Sequence, residues 1–395
     1  MNGSSDNPSF ELKNLGIIRN GEFTQKPLTV FCGPNNSGKT WAMYSLYYFY
    51  NLLSKIAKIE RHGKNKNAET ISLERFNKHM SANLPDLFNT SSEDMRNATF
   101  RFKAGKSNWQ QITERAKRNP THVFLMPAER NGLHLFFREL STRRTALLHH
   151  VSKEKINIGE LLRDVIHSRY ALPIANYINW LNDLPERQKA KPGGFHNHAE
   201  QLKKKLVKGN YKVDARSGAI WFKPYQPRRD GIKTDLMGLH ITSGMVKSLF
   251  GLWFYLENQA THDSILMIDE PELNIHPASQ RDIARLLARL VNAGLKIVVS
   301  THSDYIVREF NSLIMLSRNR NKTLLKKYNY DRNEILKPEQ VSAYLYDDQT
   351  ITPFEITPED GIYATTFDKV IRNLNMVNDD IYYTLQEQYN VQKDG

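Results

Sequence analysis

Eight consecutive residues, Gly33-Pro34-Asn35-Asn36-Ser37-Gly38-Lys39-Thr40, satisfy the pattern G-x-x-x-x-G-K-[ST] at every position. The chemistry such a run serves is the holding of a nucleotide's phosphates. Its glycines let backbone N–H groups turn inward, so that Asn35, Asn36, Ser37 and Gly38 form the cradle. Lys39 reaches the β- and γ-phosphates, and the Thr40 hydroxyl suits Mg²⁺. A second set lies in "SILMIDEPELNIHP". Asp269 closes an apolar run and can join Thr40 in a Mg²⁺ shell, while Glu270 can polarise an attacking water. Glu272 is a reserve base, displaced from the strand by Pro271. The third is His302 in "VVSTHSDYIV", whose neutral imidazole can hydrogen-bond a γ-phosphate or that water. His302, Ser303 and Asp304 are consecutive, which is poor geometry for a hydrolase triad, because triad members converge from separate places.

Such residues need strands and helix starts to position them. The apolar run "PLTVFC" enters the Gly-rich turn, and a helix from Lys39 to about Lys58 leaves it, with Trp41, Tyr44 and Tyr48 as a packed face. "SILMIDE", "PASQRDIARLLARLVNAG" and "LKIVVSTH" form a strand, a helix ended by Gly294 and a strand, the βαβ pattern of a parallel sheet. Residues 9–31 are expected to form short strands around a hairpin turn at Asn20-Gly21. Four stretches follow: 1–50 and 236–395 form the core, 51–120 is a basic helical insertion, and 121–235 adds a core strand, "HVFLMPAERNGL", then basic helices and a hairpin at Ser217-Gly218. The basic helix "AEQLKKKLVKG" closes at Gly209, and the tail is a hairpin followed by a helix near "TFDKVIRNL".

The 395 residues include a single cysteine, Cys32, which excludes a disulfide framework and a Cys-cluster metal site and suits the cytoplasm. The opening carries no signal-peptide pattern, and the best apolar stretch, "WAMYSLYYFYNLL", falls short of the roughly 20 residues that a membrane helix needs. Net charge is +13, and it is concentrated: residues 51–235 hold 35 Lys and Arg against 18 Asp and Glu. That excess would attract DNA or an acidic protein, in a salt-sensitive way, or simply keep the surface solvated. A transporter subunit would instead show an apolar docking surface.

Lys39 and Asp269 are 230 positions apart, too far for a compact GTPase or nucleoside kinase. Just before the Asp269 strand, "LHITSGMVKSLFGLWFYL" starts a helix after Ser243. The N–H groups at its start form an anion site with Lys247 one turn further in, although Ser243 would also serve as an ordinary helix cap. "PAERNGL", "TSGMVKSL", "IDEPELNIHP" and "STHSDYIV", in this order, resemble the ABC-class ATPases related to RecF, SMC proteins and the overcoming-lysogenization-defect family. The flavour is that of ATPase subunits of bacterial anti-phage systems such as Septu and PARIS, and the resemblance covers essentially the whole chain.

It implies an α/β P-loop NTPase fold of the ABC-ATPase type, with a mixed sheet core and helical insertions. It also implies ATP and Mg²⁺ as cofactors, and a homodimer of heads, or an assembly of such dimers, with two ATP molecules sandwiched between them. Ser243 and Gly244 of one subunit would contact the other's γ-phosphate, with Lys247 nearby, and Asn274 and His276 would form the D-loop across the interface. A separate effector protein, DNA or an acidic phage protein is the implied partner, with no membrane. A RecF- or SMC-type DNA-processing ATPase is the alternative. The chain departs from the pattern in lacking the paired glycines of transporter signatures and a clear Q-loop glutamine. Gln110, Gln111, Glu129 and Arg130 all remain open for that place. Asp347, Asp348, Asp379 and Asp380 suit turns better than a nuclease site. His196 and His198 have no acid or Cys at ligand spacing.

Overall fold

The computed structural model describes residues 7–62, 71–139, 170–188, 193–225, 235–318 and 322–362, with position 376. The strands run in chain order as β1 (Ser9–Leu15), β2 (Ile18–Thr24), β3 (Leu28–Cys32), β4 (Thr99–Lys103), β5 (Val123–Met126), β6 (Gly209–Val213) and β7 (Ile220–Pro224). They continue as β8 (Met237–Gly238), β9 (Ile265–Asp269), β10 (Lys296–Thr301), β11 (Val341–Asp347), β12 (Thr350–Pro353), β13 (Ile356–Thr357) and β14 (Gly361–Ile362). Nine of them form one mixed sheet in the order β4-β1-β2-β12-β11-β3-β10-β9-β5. The run β11-β3-β10-β9-β5 is parallel, as expected of strands fed by crossover helices, and β4, β1 and β2 pair antiparallel. β6, β7 and β8 make a separate three-stranded sheet.

β3 shows why the centre is apolar throughout. All five of its residues are buried, because both faces are covered. Leu28, Val30 and Cys32 point into one core with the helices Gly244–Asn258, Pro277–Asn292 and Asp304–Met315. Phe31 points into the other with the helix Lys39–His62. Tyr44 is buried in that second core, with Trp41 and Tyr48 packed against it, so the aromatic stripe is core as expected. Phe10 is at its centre, with Phe23, Phe49, Phe100 and Phe102 rings at 5.2, 5.0, 5.4 and 5.5 Å. Each such pair adds about 0.5–1.5 kcal/mol beyond area burial.

Three local expectations change. The first hairpin turns at Gly16, whose φ is +59°, and Asn20 and Gly21 lie inside β2 opposite Lys13 and Leu12. Gly21 is needed there because β12 approaches closely: a Cβ would stand 2.4 Å from Ile351 Cγ1. The basic helix turns π-helical over Lys203–Val207 and is closed by Lys208 in the left-handed region, while Gly209 already belongs to β6. Finally, the stretch 51–120 supplies a strand as well as helices, since β4 forms a sheet edge. Its edge groups are answered by side chains of the helix Leu73–Ala82. Asn77 donates to the Phe102 carbonyl at 3.0 Å and accepts from its N–H at 2.9 Å. The hairpins at Asp214–Ala219 and Asp347–Thr350 form where expected. The helix near "TFDKVIRNL" lies outside the described residues, as do Asp379 and Asp380.

Candidate functional site

β3 carries the chain to the C-terminal edge of the sheet, and residues 33–38 turn it into the helix Lys39–His62. Gly33 (φ +145°), Asn36 (+57°) and Gly38 (+98°) make that turn possible. A Cβ on Gly33 would stand 2.2 Å from the Tyr346 carbonyl oxygen on β11, so no other residue fits. Lys39 is buried, and its Nζ donates to the carbonyls of Gly33 (2.9 Å) and Pro34 (2.6 Å) and to Ser37 Oγ (3.3 Å). Burial pulls the ammonium pKa down, opposed by the Asp269 and Glu270 charges.

β10 and β9 lie beside β3 in parallel register, and their ends face the same turn. Thr40 Oγ1 donates to Asp269 Oδ2 at 3.0 Å, and Ser300 Oγ donates to Asp269 Oδ1. Burial raises the Asp269 carboxyl above its usual range, and these two hydrogen bonds oppose that shift. A hydroxyl and a carboxylate side by side are the hard oxygen donors that Mg²⁺ prefers, so Thr40 and Asp269 fit the ion.

Glu270 leaves β9 in the left-handed region at φ +51°, a position of stored strain for a non-glycine residue. Its N–H is held by the Ser300 carbonyl at 3.1 Å. His302 Nδ1 is 3.2 Å from Glu272 Oε1 and 3.6 Å from Glu270 Oε1, so the imidazole lies beside both carboxylates and closer to the first. Glu272 Oε1 accepts from Thr301 Oγ1 and the His302 N–H, both at 2.8 Å. The side chains of His302, Glu270 and Glu272 are 43%, 27% and 4% exposed. Water reaches Glu270. Glu272, the reserve base of the sequence reading, is a buried anchor for the strand-end histidine.

Ser243 caps the helix Gly244–Asn258, its Oγ accepting from the Val246 N–H at 3.3 Å. Among the described residues no hydrogen bond joins Ser243 to the turn at Gly33–Thr40, and Ser243 is exposed beside Ile241, which is 64% exposed. Gly244 packs on Asn274, where a Cβ would meet Asn274 Cβ at 2.9 Å. Asn274 has φ +60° and His276 caps the helix Pro277–Asn292, so "TSGM" and "PELNIHP" make one continuous surface. Lys247 is half-buried at the second turn of its helix.

Sequence reasoning missed Ser300 and left Arg130 open. Gln110 and Gln111 are exposed on the helix Lys106–Arg118. Arg130 is fully buried beyond the end of β5, the neighbour of β9, and bonds the Asp269 and Glu270 carbonyls. Glu129 next to it is exposed at its surface side, and its carboxyl is raised by partial desolvation and by the Asp269 charge. The expectation that His196 has no acid at ligand spacing fails, because Glu200 follows it at i+4 on one helix. Glu257 comes from another helix, with ligand atoms of the three within 4.8 Å. His196 is already bonded to Glu257 at 2.8 Å, and Glu200 is paired with Lys203. Asp347 and Asp348 occupy a hairpin turn, with Asp348 at φ +44°. No helix among the described residues is long and apolar enough to cross a membrane.

A family model described as "AAA domain, putative AbiEii toxin, Type IV TA system" matches residues 28–308, which span the Gly-rich turn through His302. No curated protein matches the sequence. Similar solved structures include an SMC head bound to the C-winged helix domain of ScpA, 13% identical, covering 87% of this chain and 95% of that one at a TM-score of 0.39. The SMC head domain with an extended coiled coil from Pyrococcus furiosus, bound to the C-terminal domain of ScpA, is 13% identical, with coverages of 94% and 100% and a TM-score of 0.35. The SMC head domain from Thermotoga maritima is 10% identical, with coverages of 89% and 99% and a TM-score of 0.36.

Proposed function

We propose a function that starts from one fact: this chain belongs to the AAA-domain family described as "AAA domain, putative AbiEii toxin, Type IV TA system", and we read it as an α/β P-loop ATPase of the ABC class. In our reading it is a switch. ATP joins two heads, hydrolysis parts them, and the change is passed to a second protein. Asn35 to Thr40 cradle the phosphates, and Thr40 and Asp269 hold Mg²⁺, which neutralises charge on the β- and γ-phosphate oxygens. Glu270 orients the attacking water and accepts its proton, and His302, held by Glu272, faces the γ-phosphate.

The observation that carries the two-headed reading is the exposed helix start at Ser243, next to exposed Ile241 and Asn274, with no bond to its own nucleotide loop among the described residues. An anion site facing solvent beside an apolar side chain suits a second copy bringing its own triphosphate. We place the switch in the cytoplasm as the regulatory subunit of an anti-phage system that restrains or releases a separate effector, a nuclease being one class. The stretches 51–120 and 121–235 would supply its sensing surfaces. Their positive excess also favours the second reading, a DNA-processing ATPase of RecF or SMC type.

The test is assembly state. Glu270→Gln should bind ATP and accumulate as a dimer by light scattering, whereas Glu270→Gln combined with Ser243→Arg should bind ATP as a monomer. Equal dimerisation of the two proteins refutes the exchange of signatures. DNA-stimulated turnover that falls with salt would select the second reading.

A further inference from the structure

Arg130 opens the helix at 130–139 and spends its donors on two elements at once. Its Nε donates to Ser248 Oγ at 3.0 Å, on the helix capped by Ser243. Its Nη1 donates to the Pro127 carbonyl at 3.1 Å and to the Asp269 carbonyl at 2.7 Å, and Nη2 donates to the Glu270 carbonyl at 2.7 Å. None of these acceptors is a carboxylate. A guanidinium buried without a facing anion is costly to keep, and its rigid planar fork fixes the spacing of whatever it bridges. One turn on, His134 grips the same helix: its Nδ1 lies 2.9 Å from the Lys247 carbonyl, and its Nε2 lies 2.7 Å from Tyr177 Oη. A carbonyl only accepts, so Nδ1 carries the proton and Nε2 accepts from Tyr177.

Glu270 is the residue that most needs such a tether. It sits off the strand in the left-handed region, so the ladder of β9 does not fix its direction. Its carbonyl is held by Arg130 and its N–H by Ser300. The helix between Ser243 and Ser248 is a rigid element less than two turns long. A shift of Ser243 on meeting a phosphate therefore reaches Ser248, then Arg130, then the turn that aims Glu270.

We propose that Arg130 is a positioning residue that couples the signature of each subunit to that subunit's own hydrolytic site. Engagement of Ser243 by the partner's ATP then sets the direction of Glu270 toward this subunit's ATP, and the two sites fire together. The proposal rests on the two-headed reading above and adds the route between the sites.

Ser248→Ala removes Arg130's own bond to the signature helix, leaves the His134 contact with that helix in place, and leaves Arg130 on the Asp269 and Glu270 carbonyls. In the full chain it should lower kcat about tenfold or more and bring the Hill coefficient for ATP down to one, with ATP affinity unchanged. In a Glu270→Gln background it should still dimerise with ATP. Arg130→Lys, which keeps the charge but cannot span the acceptors, should lower kcat further with the same affinity. Wild-type kcat and cooperativity in Ser248→Ala overturn the coupling while leaving the dimer reading intact. Loss of ATP affinity with kcat preserved also overturns it, since that is what a merely structural role gives. If Glu270→Gln alone fails to dimerise with ATP, the two-headed reading and this proposal fall together.

Discussion

Glu270 and Glu272 flank Pro271 and both face His302, so the identity of the base is best decided by changing one carboxylate at a time. Glu272→Gln keeps an oxygen at Oε1 to accept from Thr301 Oγ1 and the His302 N–H, each now at 2.8 Å. Both bonds change from charge-assisted to neutral, a loss of about 1 kcal/mol each. Removing a buried charge offsets part of that loss, because Glu272 is only 4% exposed. The net destabilisation is then at most about 2 kcal/mol, and the protein stays folded. His302 keeps its backbone anchor, so kcat should fall by no more than about tenfold, or 1.4 kcal/mol. Glu270→Gln removes the proposed base, which water can reach, and a positioned base contributes about 10²–10⁴ in rate. Single-turnover hydrolysis at saturating ATP, with a melting curve for each variant, separates the two. Turnover in Glu272→Gln as slow as in Glu270→Gln, at an unchanged melting temperature, would refute the assignment of Glu272 as anchor.

Two further outcomes follow from the packing. His134 is buried and neutral, its pKa pushed down to about 3 mainly by burial, against 6.5 when unfolded. Below pH 6.5 the unfolded chain takes up a proton that the folded chain refuses, so stability falls with pH, by about 2 kcal/mol between pH 7 and 5 from this residue. Urea midpoints for wild type and His134→Gln should converge as pH falls across that window, and parallel curves would argue against it. Gly21→Ala places a methyl 2.4 Å from Ile351 Cγ1, where β12 meets β2, and overpacking of this kind costs about 1–3 kcal/mol. Introduced into an Ile351→Ala background, Gly21→Ala should cost less than it does in wild type, a non-additivity read from melting curves of the four proteins, and a single variant as stable as wild type would contradict the close approach.

What could be recognised in the sequence, and what could not, divides by the range of the interactions involved. The turn at Gly33–Thr40, the acid pair at Asp269-Glu270 and His302 were legible because each depends on neighbours within a few residues: an apolar strand, a glycine, a helix start. Ser243 was legible as a cap for the same reason. The choice between Gly16 and Asn20-Gly21 as the first turn was not, since both carry local turn signals and only the arrival of Ile351 on β12 decides which glycine has to be flat. β4 was hidden in a polar stretch because its pairing with β1 is rewarded by a ring cluster assembled from Phe10, Phe49 and Phe102, which no window of sequence contains. Arg130 is the extreme case. Nothing near "PAER" distinguishes a surface arginine from one buried at the centre of the site. Its acceptors on Ser248, Asp269 and Glu270 lie 118, 139 and 140 positions away. Groups that hold a ligand are thus local and readable, while a group that ties two parts of a site together is defined only once the chain has closed around it. In the two-headed switch proposed above, hydrolysis would depend on the second kind as much as on the first.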